Sequence, residues 1–226
     1  MPVSGLEVLL EGRNLVRLLE GLGTTVGIAL ASLAVALVCG VPLGLAMTRR
    51  GALVQVLTRG YVETMRIVPQ LVLLFVVYFD LARQGLVSLS GTATSILVLG
   101  AWGAAEMGDL VRGAVTSIPA HQVDSARALG LAPAQVQRLV VLPQTLRRLA
   151  PLTVNLTTRL VKTTSLVVLI GVVEVLKVAQ QIIDANRFEH PEAAFWVYGL
   201  VLGLYFVVCY PVSVLARRLE TRWESR

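Results

Sequence analysis

Glu106, Asp109 and Arg112 recur at i, i+3 and i+6 in an otherwise apolar stretch, so a helix places all three on one face. Paired carboxylates at that spacing are the groups used for shared general acid–base work, or for meeting a cation. No nucleophile motif stands beside them, and His121 and His190 are isolated in loop-like segments, so neither a catalytic residue nor a metal site is expected. A second charged pair, Arg159 and Lys162, sits one turn apart and is followed by Thr163, Thr164 and Ser165, whose hydroxyls can bond across helices. A third pair, Glu63 and Arg66 at i,i+3, can close on itself. A charge among lipid tails costs at least about 2.5 kcal/mol, so these groups must face a bundle interior or water. Asp109 with Arg112 reads as an ion pair. Glu106 lies one turn, roughly 5 Å, further along and has no cation at i+3 or i+4. It either lines a polar path inside the bundle and meets a cationic group there, or pairs with Arg159 or Lys162. Glu63, Arg66, Glu106, Asp109, Arg159, Lys162, Thr164 and Ser165 are the candidates for such a path.

The chain that must position them is greasy: 226 residues, 55% hydrophobic and 15% charged, with mean hydropathy +0.74. A soluble domain carries roughly a quarter charged residues, so this is an integral membrane protein. The net charge of +6 is dispersed between apolar blocks rather than gathered in a patch, which argues against nucleic acid. Cys39 and Cys209 lie inside apolar runs and read as packing residues. Residues 1–20 alternate leucines with Glu7, Glu11, Arg13, Arg17 and Glu20, an amphipathic interfacial pattern rather than a cleaved signal peptide.

Residues 21–48 and 193–216 carry no charge over 28 and 24 positions, enough to span a bilayer. A helix starting near Val54, one over 84–105 that continues through Arg112, and one over about 149–173 bring the expected count to five spans in an all-α domain over 21–216. Segments 48–66, 112–148 and 217–226 hold 13 Lys and Arg residues (Arg50 and Arg226 among them), and the opposite segments hold 5. The positive-inside rule then puts the N-terminus outside and the basic 217–226 tail in the cytoplasm. Gly23/Gly27, Gly40/Gly44 and Gly199/Gly203 have the spacing that lets helices approach closely. Pro42, Pro69 and Pro211 fall within or near spans and are expected to kink them.

Between the third and fourth spans lies DSARALGLAPAQVQRLVVLP, residues 124–143, on the cytoplasmic side. Asp124 suits a helix first turn and can pair with Arg127, and Gly130 is a helix stop. Pro133 suits the first turn of a second helix, with Val136, Leu139 and Val140 as its apolar stripe and Leu142-Pro143 as its end. From the residues alone, this hairpin over 120–147 is either a docking piece or a loop packed under its own bundle.

The spacing resembles the EAA motif of ATP-binding-cassette importer permeases: Glu-Ala-Ala, three residues, Gly, nine residues, Ile-x-Leu-Pro. Here it reads Asp124-Ser125-Ala126, Gly130, then Val140, Leu142 and Pro143. LLEGLGTTVGIAL (18–30), YVETMRIVPQLVLLFVVYF (61–79), DLVRGAVTSIP (109–119) and LVKTTSL (160–166) are similar to the polar amino-acid uptake branch. Two departures stand out: Glu106 where that branch has Tyr, and Ile67-Val68 where it has Gly-Thr before the proline.

The resemblance implies a type I importer permease with five spans in a bacterial inner membrane, a non-enzymatic subunit. It makes the hairpin a coupling helix seated on a separate ATPase subunit. Asp124, Ser125, Ala126, Arg127, Gly130, Val140, Leu142 and Pro143 would be its docking residues. ATP and Mg would be bound by that ATPase partner, since this chain has no G-x-x-x-x-G-K-[ST] loop and no cofactor of its own. A second permease copy, identical or related, would complete the path, and an extracytoplasmic binding protein would deliver the amino acid to the face bearing the 174–192 loop. A self-contained channel or secondary transporter is the alternative, but the internal repeat such proteins carry is not visible.

Overall fold

The computed structural model describes residues 4–49, 51–85 and 89–224; Arg50 and Arg226, counted above among the cytoplasmic cations, lie outside them. All regular structure among the described residues is helical. Two helices, Asn14–Met47 and Ala193–Arg222, are long and apolar enough to cross a membrane, and up to four crossings result if each of two broken pairs counts as one.

Several boundaries differ from expectation for identifiable reasons. The amphipathic N-terminal segment is not one interfacial helix. Helix Ser4–Leu10 ends before Gly12, whose φ of +52° is left-handed, and the first long helix already begins at Asn14. The expected span from Val54 breaks after Ile67. Val68 is extended (φ −72°, ψ 126°), as a residue before proline prefers, and Pro69 follows outside any helix. The chain resumes at Gln70–Phe75 and passes through a π turn at Val76–Asp80. The 174–192 segment is not a loop, because Val175–Asn186 is a helix. Its apolar residues Val175, Val178, Ala179 and Ile182 are all buried, a 3.6-residue periodicity that the flanking charges obscure. Helix Ala193–Glu224 carries the basic tail onward as regular helix, with Pro211 accommodated inside it, as Pro42 is inside Asn14–Met47.

The chain forms two compact units. The first takes the described residues of 1–32, 70–99 and 159–211. Its core joins Val8, Leu9 and Leu18 with Val175, Val178, Ala179, Ile182, Ala193, Val197 and Val201. Glu174 is fully buried at the start of Val175–Asn186, where its carboxylate accepts the backbone N–H groups of Leu176 (3.0 Å) and Lys177 (2.8 Å) and the Thr25 hydroxyl (3.2 Å). Those bonds satisfy helix-end donors that would otherwise be orphaned.

The second unit takes the described residues of 33–69, 100–158 and 212–226. Its centre is the C-terminal half of helix Gly91–Thr116, where Trp102, Ala104, Ala105, Met107 and Val111 are buried. A helix enclosed by its own chain needs no uniformly apolar surface, which is why this 26-residue helix can carry Glu106, Asp109 and Arg112. Of the three small-residue pairs, Gly40/Gly44 packs inside this unit. A methyl group at Gly40 would come within 2.7 Å of the Ala104 carbonyl oxygen, and one at Gly44 would collide with the Gly108 carbonyl and Val111. Methyl groups at Gly23, Gly27, Gly199 or Gly203 would meet nothing within 4 Å. Gly44→Ala is therefore expected to destabilise the purified protein by about 1–3 kcal/mol, because a backbone carbonyl cannot step aside as a flexible side chain can. Gly23→Ala should change stability far less, and thermal unfolding in detergent measures both.

Candidate functional site

Two groups of candidate residues come together in the second unit. The first is a charge network on helices Ala52–Ile67 and Gly91–Thr116. Arg66 does not close on Glu63 as the i,i+3 spacing suggested. Its Nε donates to Glu106 Oε1 at 3.0 Å and its Nη2 to Asp109 Oδ2 at 2.8 Å. Arg112 donates through Nη2 (2.5 Å) and Nε (3.0 Å) to Asp109 Oδ1, the ion pair expected within the helix. The Tyr61 hydroxyl donates to the Ala101 carbonyl at 2.7 Å, a second tie between the same two helices. Two cations thus serve two carboxylates. Glu106 is the most enclosed, its side chain only 9% exposed, while Asp109 retains 22% and the two arginines about 40%. Glu63 is exposed. The partner Arg66 lies 40 residues away in sequence, so helical spacing could not identify it.

Arg66→Ala would leave the buried Glu106 carboxylate short of a charged donor, a loss of about 1.5–3 kcal/mol for a hydrogen bond to a charged group. The double variant Arg66→Ala/Glu106→Gln should recover part of that loss. A double-mutant cycle on unfolding midpoints checks it, and strict additivity would sink the coupling.

The second group is the 120–147 hairpin. Helix Ala120–Ala128 is closed by the Gly130 N–H on the Arg127 carbonyl (2.9 Å) and the Leu131 N–H on the Ala126 carbonyl (3.2 Å). Gly130 has φ +84°, so this is a Schellman motif that needs a left-handed residue. Pro133 opens the second helix, Pro133–Val136, and the Gln135 side chain accepts the Ala132 N–H at 2.8 Å, tying down its first turn. This helix does not end at Leu142-Pro143. A π turn at Gln137–Val141, in which the Leu142 N–H reaches back to the Gln137 carbonyl, carries it into Leu142–Thr163. The wider turn leaves room for the Pro143 ring and its missing donor. Gln144 donates to Gln122 at 2.7 Å and Arg148 to the Ser117 hydroxyl, pinning the two arms together.

Asp124 and Arg127 pair at 3.7 Å and are exposed, as are Ser125, Gly130, Leu142 and Pro143. Ala126 and Val136 are buried and Val140 is half-buried, so these hold the hairpin to its own chain. Leu139, read from the sequence as part of the second helix's apolar stripe, is 60% exposed, and Leu129 is 83% exposed. They give the hairpin an outward apolar surface that periodicity did not reveal.

The remaining candidates belong to the first unit. Arg159 and Lys162 lie exposed one turn apart on Leu142–Thr163. Thr164 is buried and its hydroxyl donates to the Val161 carbonyl at 2.7 Å; the Ser165 hydroxyl donates to the Lys162 carbonyl at 2.9 Å. Both hydroxyls thus donate within their own helical run. Glu174 was not singled out from the sequence. An acidic residue directly before an apolar-periodic run is a helix-start signal, although Glu is not among the preferred caps.

A helical bundle with an exposed, internally braced helix–Gly–helix piece is the type I permease fold of ATP-driven importers. The structure superposes on an amino acid ABC transporter crystallised with histidines with a TM-score of 0.85, at 22% identity over 98% of this chain and 100% of that one. It also matches the inward-facing MetNI methionine ABC transporter with a TM-score of 0.68, over 90% of this chain and 96% of that one. Residues 40–225 match the family of binding-protein-dependent transport system inner membrane components, and the chain belongs to that family. A probable glutamine ABC transporter permease, GlnP of Bacillus subtilis, is 36% identical over 71% of this chain and 72% of its own. The nopaline transport permease NocM of Agrobacterium fabrum is 32% identical over 90% and 86%. The glutamine transport permease GlnP of Escherichia coli is 32% identical over 91% and 92%.

Proposed function

We propose that this permease imports a polar amino acid, driven by ATP that a separate ATPase subunit hydrolyses with Mg. The observation that carries the coupling role is the hairpin: a rigid turn at Gly130 that exposes Leu129, Leu139 and Leu142 beside Asp124 and Arg127. Exposed leucines on a braced element suit a groove on a soluble partner. The amino-acid substrate follows from the names of the relatives and from the 18–30, 61–79 and 160–166 stretches. In this reading an extracytoplasmic binding protein delivers the amino acid, and a second permease copy, identical or related, completes the path. The N-terminus faces outside, and the hairpin and the C-terminus face the cytoplasm, as the distribution of Lys and Arg favours.

Lys162 and Arg159 are exposed on the isolated chain, and charge does not face lipid tails without cost. A water-lined path closed by the second copy would give them a polar surrounding. Glu106, Asp109, Arg66, Glu63, Thr164 and Ser165 are the further residues we assign to that path. Glu106 is held by Arg66 rather than open, so a substrate ammonium would reach it only by sharing or displacing that guanidinium.

Gly130→Val forces a β-branched residue into a left-handed turn where nothing crowds its side chain, at a cost of about 1–3 kcal/mol confined to the hairpin. Affinity purification from native membranes in mild detergent should recover an ATPase subunit with wild type and lose it with Gly130→Val. Equal recovery would reduce the hairpin to a packing element. Glu106→Gln is expected to weaken ATP-driven uptake into vesicles on the order of tenfold, about 1.4 kcal/mol, while the complex still assembles. Unchanged uptake would remove Glu106 from the path.

A further inference from the structure

The first unit holds a cavity of about 230 Å³ whose polar walls are Arg17, Glu20, Thr24 and Gln181, with Gly21 and Val178 as its floor. It is set apart from the Arg66 network and the hairpin in residue content, and the reading above gives it no role. Its two walls are rigid. A methyl group at Gly21 would come within 2.9 Å of the Val175 backbone, so the helices Asn14–Met47 and Val175–Asn186 press backbone to backbone beneath it. The buried Glu174 carboxylate fixes where the second of these helices begins.

The charges on those walls are arranged unequally. Arg17 is half-buried and aimed, since its Nη2 donates to Gln181 Oε1 at 2.7 Å and the rest of its planar fork of donors remains for another acceptor. Glu20 stands three residues on, about 4.5 Å along the same helix. Its carboxylate is held only loosely, by Arg13 at 3.5 Å, with both side chains more than half exposed. An exposed pair of that kind contributes little and gives way to a better partner. The Thr24 hydroxyl donates to the Glu20 carbonyl at 3.3 Å, and its oxygen keeps acceptor capacity. A guanidinium held by an amide therefore stands one helical turn from a loosely held carboxylate, with the Thr24 hydroxyl a further turn along the same helix.

We propose that this cavity binds a small zwitterion, Arg17 forking onto its carboxylate or phosphate and Glu20 accepting its ammonium. Guanidinium pairs bidentately with either anion, and a lone cation or anion would leave one wall charge unused. Two sources share the chemistry: a free α-amino acid, in which case the site rests on the import reading above, and the headgroup of phosphatidylethanolamine.

The permease is purified with its ATPase partner in phosphatidylglycerol nanodiscs, and its thermal unfolding midpoint is followed as L-glutamine is added. L-Glutaminamide, which lacks the carboxylate, is the control. A parallel series replaces part of the phosphatidylglycerol with phosphatidylethanolamine. One of the two zwitterions should raise the midpoint, glutaminamide should not, and the apparent affinity should fall on the order of tenfold in Arg17→Met and in Glu20→Gln. Glu20 is exposed, so Glu20→Gln keeps the fold and separates recognition from any packing role of Arg17. A response to glutamine identifies the free amino acid, and a response to phosphatidylethanolamine alone identifies the headgroup. No response to either in wild type, or equal responses in wild type and Glu20→Gln, overturns the site. Uptake of labelled amino acids by the same complex is measured alongside. Uptake without zwitterion binding sinks this site alone, whereas binding of phosphatidylethanolamine without any amino-acid uptake sinks the import reading and leaves the site standing.

Discussion

The second unit depends on one guanidinium reaching two carboxylates. Glu106 and Asp109 stand one turn apart on a helix whose neighbouring residues Ala105, Met107 and Val111 are buried, and Arg66 bonds both from a different helix. A single ion pair would fix a distance. Two bonds from one planar group to acceptors a turn apart fix both the height and the rotation of Ala52–Ile67 against Gly91–Thr116. Tyr61, on the same helix, adds a bond to the Ala101 carbonyl. Breaking such a set is costly because the carboxylate left behind has little water to turn to.

Close backbone approach does the complementary work. Lipid tails are as apolar as leucine, so helices in a bilayer gain nothing from simple apolar exclusion and associate through dense packing and polar bonds. Gly40 and Gly44 against Ala104 and Gly108 supply that density in the second unit, and Gly21 against Val175 supplies it in the first. In both units a polar tie, Arg66 on Glu106 or Thr25 on Glu174, belongs to helices that glycine brings together or close beside them.

The hairpin combines rigidity with continuity. Gly130 sets the turn, Gln144 with Gln122 holds the arms, and the second arm runs through a π turn into Leu142–Thr163 without a break. The hairpin's second arm and the segment that carries Arg159 and Lys162 therefore belong to one uninterrupted helical run.

Local rules account for much of this. The uncharged runs at 21–48 and 193–216 mark membrane helices by length, and the Asp124 to Pro143 register marks the hairpin, because motif spacing is a property of the chain. The Asp109–Arg112 pair and the left-handed Gly130 are equally local, set by neighbours within one turn. What escaped the sequence is what depends on residues far apart along it. Spacing at i,i+3 lets Arg66 pair with Glu63, yet the buried Glu106 is the stronger claimant, and only the packing of two helices brings them within 3.0 Å. Val175–Asn186 read as a loop because its apolar residues are interrupted by charges, and its helix is secured by the tertiary core of Val8, Leu18 and Ala193 around it. The Leu139 side chain is exposed, and it lies in a π turn, whose phase differs from that of the α-helix that a fixed periodicity assumes. The sequence by itself determined the two long apolar helices and where the helix–Gly–helix hairpin lies; tertiary structure alone decided which charges pair and which faces are left open, because those are settled by competition among groups that only folding brings together.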